Sequence, residues 1–392
     1  MPNDKWKMSL IARREFLRTA AVGTVSALAL RRTAWSLEAR ELTLYVGTYT
    51  SGKSQGIYVY RMDRTRGELK GFSSIHSVNP SFLAIDRKRR YLYAVNEVNE
   101  FDGKPGGAVS AFEINSTNGT LRLLNQQPSL GADPCHLTVD RKRKNLLVAN
   151  YTGGSVAVLP IQRDGRLGAA RDLKQHEGSG IKEQQKGAHA HCVILDRSER
   201  YAMVADLGID KVMIYDFNRT TGKLVAANQP WAKLKPGAGP RHLSLHPDGE
   251  YAYVINELDS TVTVFKYDGD EGTLSEVDSV STLPAGFSGT SYCADVHVSP
   301  SGKFLYGSNR GHDSIVTFAI DERTGKLSQL DHTSTEGKWP RNFVIDPTGS
   351  FLLVANQRTD NVVTFRIDAR TGRLSPTGYV AEIPAPVCLK FA

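Results

Sequence analysis

Cysteine is scarce in this chain. Only Cys135, Cys192, Cys293 and Cys388 occur in 392 residues, and no Cys-x-x-Cys is present. That excludes a disulfide framework and a cysteine-based zinc site, and leaves buried free thiols as the expectation. No Gly-x-Ser-x-Gly elbow is present, which argues against a serine-esterase mechanism. No apolar run reaches the roughly 20 residues of a membrane-spanning helix, so the mature protein is expected to have no membrane span. Charge of one sign is also lacking over most of the chain. Of the net +8, residues 1–40 contribute +5, with eight basic groups against Asp4, Glu15 and Glu38. The remaining 352 residues are nearly balanced, which leaves no electrostatic footprint for DNA or RNA.

What residues 1–40 do contain resembles an address. Lys5, Lys7 and the pair Arg13-Arg14 precede Glu15-Phe16-Leu17-Arg18, and an uncharged run from Thr19 to Leu30 follows. A basic region before a short apolar stretch is the signal-peptide pattern, and the paired arginines resemble a twin-arginine export signal. Ala12 before the pair, and Arg31-Arg32 after the run, depart from the usual form. The expected location is therefore the periplasm or the exterior, or the cytoplasm if the signal does not function.

The rest repeats. An alternating apolar run, a polar turn, a second run ending in Asn or Asp, a short loop and a third run recur six times. The second runs end at Asn96, Asn150, Asp206, Asn256, Asn309 and Asn356. Third strands follow, such as Val262 to Tyr267 and Val362 to Ile367, then turns such as Thr324-Gly325-Lys326-Leu327 and an outer strand. Short period-2 strands at this spacing, four per repeat, indicate a β-propeller. Leu42 to Val46 and Gly56 to Tyr60 begin a seventh copy, whose missing strand is Pro386 to Phe391. Residues 41–392 are thus predicted to form one all-β domain of seven blades, closed by pairing of the chain ends.

Two columns of the repeat break its regularity. The first strand starts at Ser81, Cys135, His191, Arg241, Ala294 and Arg341. The residue after the second strand is Glu97, Tyr151, Leu207, Glu257, Arg310 or Gln357. Scaffold columns repeat one residue type because each blade meets the same packing problem. These columns instead gather ionisable groups at one end of the axial channel, as a site grafted on a scaffold does. Plain inter-blade ion pairing, such as Arg241 with Glu257, is the alternative. His189 and His191 share a strand face and with His136 or His242 suggest a metal, but no spacing supplies the further ligand and supporting carboxylates such a site needs. No metal and no cofactor are expected.

The strings Gly237-Ala-Gly-Pro-Arg241-His242-Leu, Val254-Ile-Asn256-Glu257-Leu-Asp-Ser-Thr, Ser308-Asn309-Arg310-Gly-His312-Asp-Ser, Pro340-Arg341-Asn-Phe, Gly47-Thr-Tyr-Thr50 and Pro386-Val-Cys388 resemble the seven-bladed lactonase family. That family includes propeller-type 6-phosphogluconolactonases and a fungal carboxymuconate-cyclising enzyme. The resemblance covers nearly all of residues 41–392. It implies His191, Arg241, Glu257 and Arg310 as catalytic residues and Arg341 as a substrate contact; His136 and His242 are carried as further substrate-binding candidates. Gly187-Ala188 departs from the family pattern, which has Pro before the His-x-His. The residue types fit opening of a sugar δ-lactone. An arginine stabilises the tetrahedral oxyanion, another holds a phosphate or carboxylate, and Glu257 or His191 takes a proton from water. A small-molecule lactone is the expected partner, and a monomer the expected state. A muconate cycloisomerase and a noncatalytic binding propeller stay open.

Overall fold

Each copy of the repeat folds into one antiparallel four-stranded sheet, and seven such sheets stand in a ring in the computed structural model, which describes residues 41–392. The export reading falls on residues 1–40 and lies outside the described residues. Blade 1 runs outward from the axis as Leu83–Ile85, Tyr91–Asn96, Ala108–Ile114 and Leu121–Pro128. The innermost strands of blades 2 to 6 are Pro134–Val139, Ala190–Leu195, Pro240–Leu245, Tyr292–Val298 and Pro340–Ile345. In blade 7 the innermost strand is Pro386–Phe391, from the far end of the chain. It pairs with Glu41–Thr48, and Gly56–Asp63 and Leu69–His76 lie outside it. The anticipated closure is therefore present.

The second strands are buried along their whole length, as Tyr91–Asn96, Asn145–Asn150 and Tyr251–Asn256 show. Both faces of each sheet pack on a neighbouring blade, so these runs are continuously apolar. The core lies between blades; Tyr253, Ile255 and Val264 of blade 4, for example, pack with Leu305, Val316 and Phe318 of blade 5. Burying a Tyr requires a partner for its hydroxyl, and the partner is the next blade's turn. Tyr45, Tyr93, Tyr253 and Tyr306 donate to the carbonyls of Gly119, Gly165, Gly325 and Gly372. The repeated Tyr and the repeated Gly turn are thus two halves of one inter-blade contact.

The repeated Asn that ends each second strand is also scaffold. Asn150, Asn309 and Asn356 donate to the carbonyls of Ser129, Thr282 and Thr335, fixing the segment that enters the blade. Blade 3 carries Asp206 instead, because its partners are donors: His176 Nδ1 at 2.6 Å and the backbone amides of His189 and Gly208. This carboxylate secures the loop that delivers His191. Gly208 is required there, since a Cβ would lie 1.8 Å from the Gly187 carbonyl oxygen. All four cysteines are buried and unpaired. Among the described residues no helix is long and apolar enough to cross a membrane.

Candidate active site

A regular ladder alternates side chains between faces, and at the channel mouth that ladder is interrupted in blade after blade. Pro240 pairs with Asn256 and His242 with Ile255, so Arg241 is an extra, unpaired residue. Cys135, His191, Arg341 and Val387 are the extra residues of blades 2, 3, 6 and 7. Such a bulge re-aims one side chain without moving the strand. In five blades a proline stands before this position, and the residue before the proline has a left-handed backbone. These are Asn79, Asp133, Gly239, Trp339 and Ala385, with φ of 41°, 52°, 65°, 66° and 41°. The first of the two irregular columns is therefore the bulge column.

The bulge brings Arg241 to Glu257, and the next blade adds Arg310. Arg241 Nε lies 2.9 Å from Glu257 Oε2, a charge contact whose N–H is not aligned on the oxygen. Arg310 Nη2 approaches the same oxygen at 2.7 Å. Each arginine is also held from behind, Arg241 by the carbonyl of Ala294 and Arg310 by that of Cys293. Their side chains are 2% and 4% exposed against 18% for Glu257, so the carboxylate faces the opening. Oε1 of Glu257 has no protein partner among the described residues. Burial works to raise the Glu257 carboxyl, but Arg310, Arg241 and Arg341 outweigh it and hold it below its usual value. Burial lowers Arg310 to about 10 against the pull of Glu257, so it stays charged at neutral pH.

His191 stands beside this group. Its ring meets those of His242 and Tyr151 edge-on, with centroids at 5.3 and 5.5 Å. Burial, and then the charge of Arg241, push it well below the usual imidazole range, so it is neutral at pH 7. Its Nδ1 is buried without a partner. His189 does not join it, because its ring stacks on Tyr151 at 4.5 Å and its Nδ1 meets the Tyr151 carbonyl. Among the described residues no group of three or more His, Cys, Asp or Glu is placed to hold a metal ion.

Arg341 belongs to a second group across blades 6, 7 and 1. Its Nη2 donates to Tyr49 Oη at 2.7 Å, Tyr49 donates to Glu97 Oε1 at 2.8 Å, and Ser81 donates to Glu97 Oε2. Burial raises the Tyr49 phenol, which therefore remains a donor. Burial opposes the charge on Arg341, but Tyr49, Glu97 and Glu257 hold it firmly protonated. These two buried groups together carry three guanidiniums against two carboxylates. Cys135 lies among them, yet burial and Glu97 raise its thiol well above the usual value, so it is no nucleophile.

A family model described as a lactonase with a seven-bladed β-propeller matches residues 43–391. The chain belongs to this lactonase family. It is 38% identical over 348 residues to a 6-phosphogluconolactonase of Bacillus subtilis, covering 88% of this chain and 97% of that one. A 6-phosphogluconolactonase of Formosa agariphila is 37% identical, over 77% of this chain and 86% of that one. Among solved structures, the periplasmic gluconolactonase of Pseudomonas aeruginosa superposes with a TM-score of 0.85 at 36% identity, covering 90% of this chain and 99% of that one.

In this lactonase-family chain His136 and His242 sit one residue deeper than the bulge column. They belong to a third column with Cys192, Asp295, Asn342 and Cys388. An inner strand has an open edge toward the channel, and its amides need acceptors. This column supplies them from blade to blade. His136 Nδ1 accepts from Val193 N, Asp295 from Phe343 N, Asn342 from Leu389 N, and Cys388 Sγ from Leu83 N. His242 Nδ1 meets Asp295 Oδ1 at 2.7 Å, while its Nε2 lies 3.3 Å from Arg241 Nη1. The two histidines were expected to touch substrate. His242 supports Arg241, His136 packs on Phe82 at 4.0 Å, and both line one cavity with Asp295 and Lys390.

Sequence reasoning also passed over Tyr49 and Asp295. Tyr49 is the seventh member of the second irregular column, since it follows the strand of blade 7 that Pro386–Phe391 completes. Carrying the two columns through the closing blade would have found it. Asp295 gave no signal beyond its neighbour Ala294, because its partners come from three blades.

Proposed function

We propose that this protein hydrolyses a sugar δ-lactone, with 6-phosphoglucono-1,5-lactone as the leading candidate and 6-phosphogluconate as product. One observation carries the mechanism: two buried arginines from adjacent blades share one oxygen of Glu257, while its other oxygen faces the opening. Water held at Oε1 loses its proton to Glu257 as it attacks the lactone carbonyl. The oxyanion forms beside Arg310 and Arg241, which are already fixed in place and so need no reorganisation. The ring C–O bond then breaks, and the proton on Glu257 passes to the departing oxygen. Neutral His191 hydrogen-bonds the substrate through its Nε2, and Arg341 completes the positive wall. No enzyme nucleophile is required. The relatives named 6-phosphogluconolactonase and gluconolactonase support this substrate class, and the positive excess at the mouth suits an anionic sugar.

The test is hydrolysis of a lactone panel, including δ-gluconolactone and its 6-phosphate, corrected for spontaneous opening. Enzymatic opening is the expected result. Interconversion of a muconate and its lactone in place of hydrolysis, read from the ultraviolet absorbance of the diene, would replace this reading. The pH profile adds a second check. His191 and Glu257 are both held below their usual values, so neither titrates near pH 6.5. On δ-gluconolactone, which carries no phosphate to titrate, the corrected kcat/KM should stay flat from about pH 8 down to about pH 5 and fall only in more acid solution. A drop centred near pH 6.5 would instead point to an exposed histidine as the base.

We further propose export through the Arg13-Arg14 signal, in keeping with a periplasmic relative. Changing both arginines to lysine should retain the precursor in the cytoplasmic fraction of the host. Undiminished recovery of mature protein from the periplasm would rule the signal out.

A further inference from the structure

We propose that Arg358 is the phosphate-recognising residue of this mouth, held ready by stacking on Trp339. This rests on the lactonase reading above and specifies its substrate.

The other arginines at the mouth are already engaged. Arg241 and Arg310 hold Glu257 and backbone carbonyls, and Arg341 holds Tyr49. Arg358 lies two residues beyond Asn356, on the loop that follows the second strand of blade 6, and is exposed. Among the described residues its guanidinium has no carboxylate or carbonyl acceptor. It is nonetheless fixed. Its backbone amide donates to the Lys338 carbonyl, and its guanidinium carbon lies 3.5 Å from the centroid of Trp339. The same ring carries Arg310 at 5.4 Å. A single indole therefore links the arginine beside the reacting carbonyl to an outer arginine whose donors are free.

Trp339 is an unusual choice for this task on backbone grounds. Its column is left-handed in five blades, and the other four residues are Asn79, Asp133, Gly239 and Ala385, all small. A bulky aromatic with φ of +66° is strained, and such strain persists where the surroundings over-determine it. Here Asp313 accepts from Trp339 N at 2.8 Å, and the Trp339 carbonyl accepts from Gln357 N. The ring is thereby a rigid platform. An arginine held over it keeps its N–H donors free, and a guanidinium can meet a phosphate monoester with paired hydrogen bonds. The ligand class is a sugar lactone bearing a phosphate remote from its carbonyl.

The experiment compares kcat/KM for 6-phosphoglucono-δ-lactone and δ-gluconolactone in the wild type, Arg358→Ala, Trp339→Ala and the double variant. Binding of 6-phosphogluconate and gluconate by calorimetry gives a readout apart from turnover. Melting curves verify that each variant folds. In Arg358→Ala the phosphate preference should fall at least about tenfold in both measurements, the size of one charge-assisted hydrogen bond. Trp339→Ala should lower it in the same direction. The double variant should lose little more than Arg358→Ala, because the two act as one unit. An unchanged ratio in Arg358→Ala, an equal loss on both lactones, or a wild type with no phosphate preference would overturn the assignment while leaving lactone hydrolysis intact. A wild type that opens neither lactone would overturn both readings.

Discussion

Replacing Arg310 by alanine should lower kcat for lactone opening about 10²–10³-fold, with a smaller change in KM. The residue is 4% exposed and sits on Glu257 Oε2 and the Cys293 carbonyl. It cannot follow the substrate as the charge moves, so it favours the state in which negative charge appears on the carbonyl oxygen. That is why the loss belongs in kcat. Arg241→Ala should act in the same sense. The double variant should fall well short of the product of the two losses, because both arginines meet one carboxylate oxygen. Circular dichroism and melting curves separate this from unfolding. Folded Arg241→Ala and Arg310→Ala proteins with full lactonase activity would remove the group from the mechanism and leave it as an inter-blade ion pair.

The second large effect concerns stability. Asp295→Ala should destabilise the propeller by about 3–5 kcal/mol, as removing one partner from a buried charged network does. This carboxylate is 2% exposed and joins three blades. It meets His242 of blade 4, the Val296 amide and His297 of its own blade, and Asn342 and the Phe343 amide of blade 6. Burial works to raise it, but His297 and His242 outweigh that and hold it well below the usual value. A carboxyl depressed on folding contributes stability that is complete above its unfolded pKa and lost as pH falls through its folded one. Buried His136 and His191, both pushed well below the usual range, and His242, lowered to about 4, add to the acid sensitivity. They stay neutral in the fold, while the unfolded chain takes up protons below about pH 6.5. Stability to denaturant should therefore decline steadily from about pH 7 to pH 4 through the histidines, and Asp295→Ala should show a shallower decline only below about pH 4. Equal midpoints for variant and wild type would mean that the inner strands do not depend on this carboxylate.

Much of the candidate site was legible because a repeat exposes its own exceptions. Scaffold positions showed themselves through repetition: the Asn or Asp that ends the second strands, and the Thr-Gly turns that lead to the outer strands. Arg241, Glu257, Arg310, Arg341 and His191 stood out where constants were expected. His136 and His242 lie next to the irregular column in sequence but belong to the column beneath it. One extra residue per inner strand separates that column from the one beneath it. Arg358 carried no periodic signal, and Trp339 shared its place before a proline with residues of other types; both sit in loops whose course depends on Asp313, Lys338 and Gln357.

The linear chain by itself determined the strands, their number, the closure of first and last segments, and the residue types available at one end of the channel. These follow from alternation and turn chemistry, which act within a few residues. Only the tertiary structure decided which side chains meet. Glu257 is reached by Arg310 from 53 positions away, and Tyr49 by Arg341 from 292. Such pairings depend on the curvature of the ring and on a bulge that turns one side chain out of the ladder, and neither leaves a mark in the spacing of apolar residues.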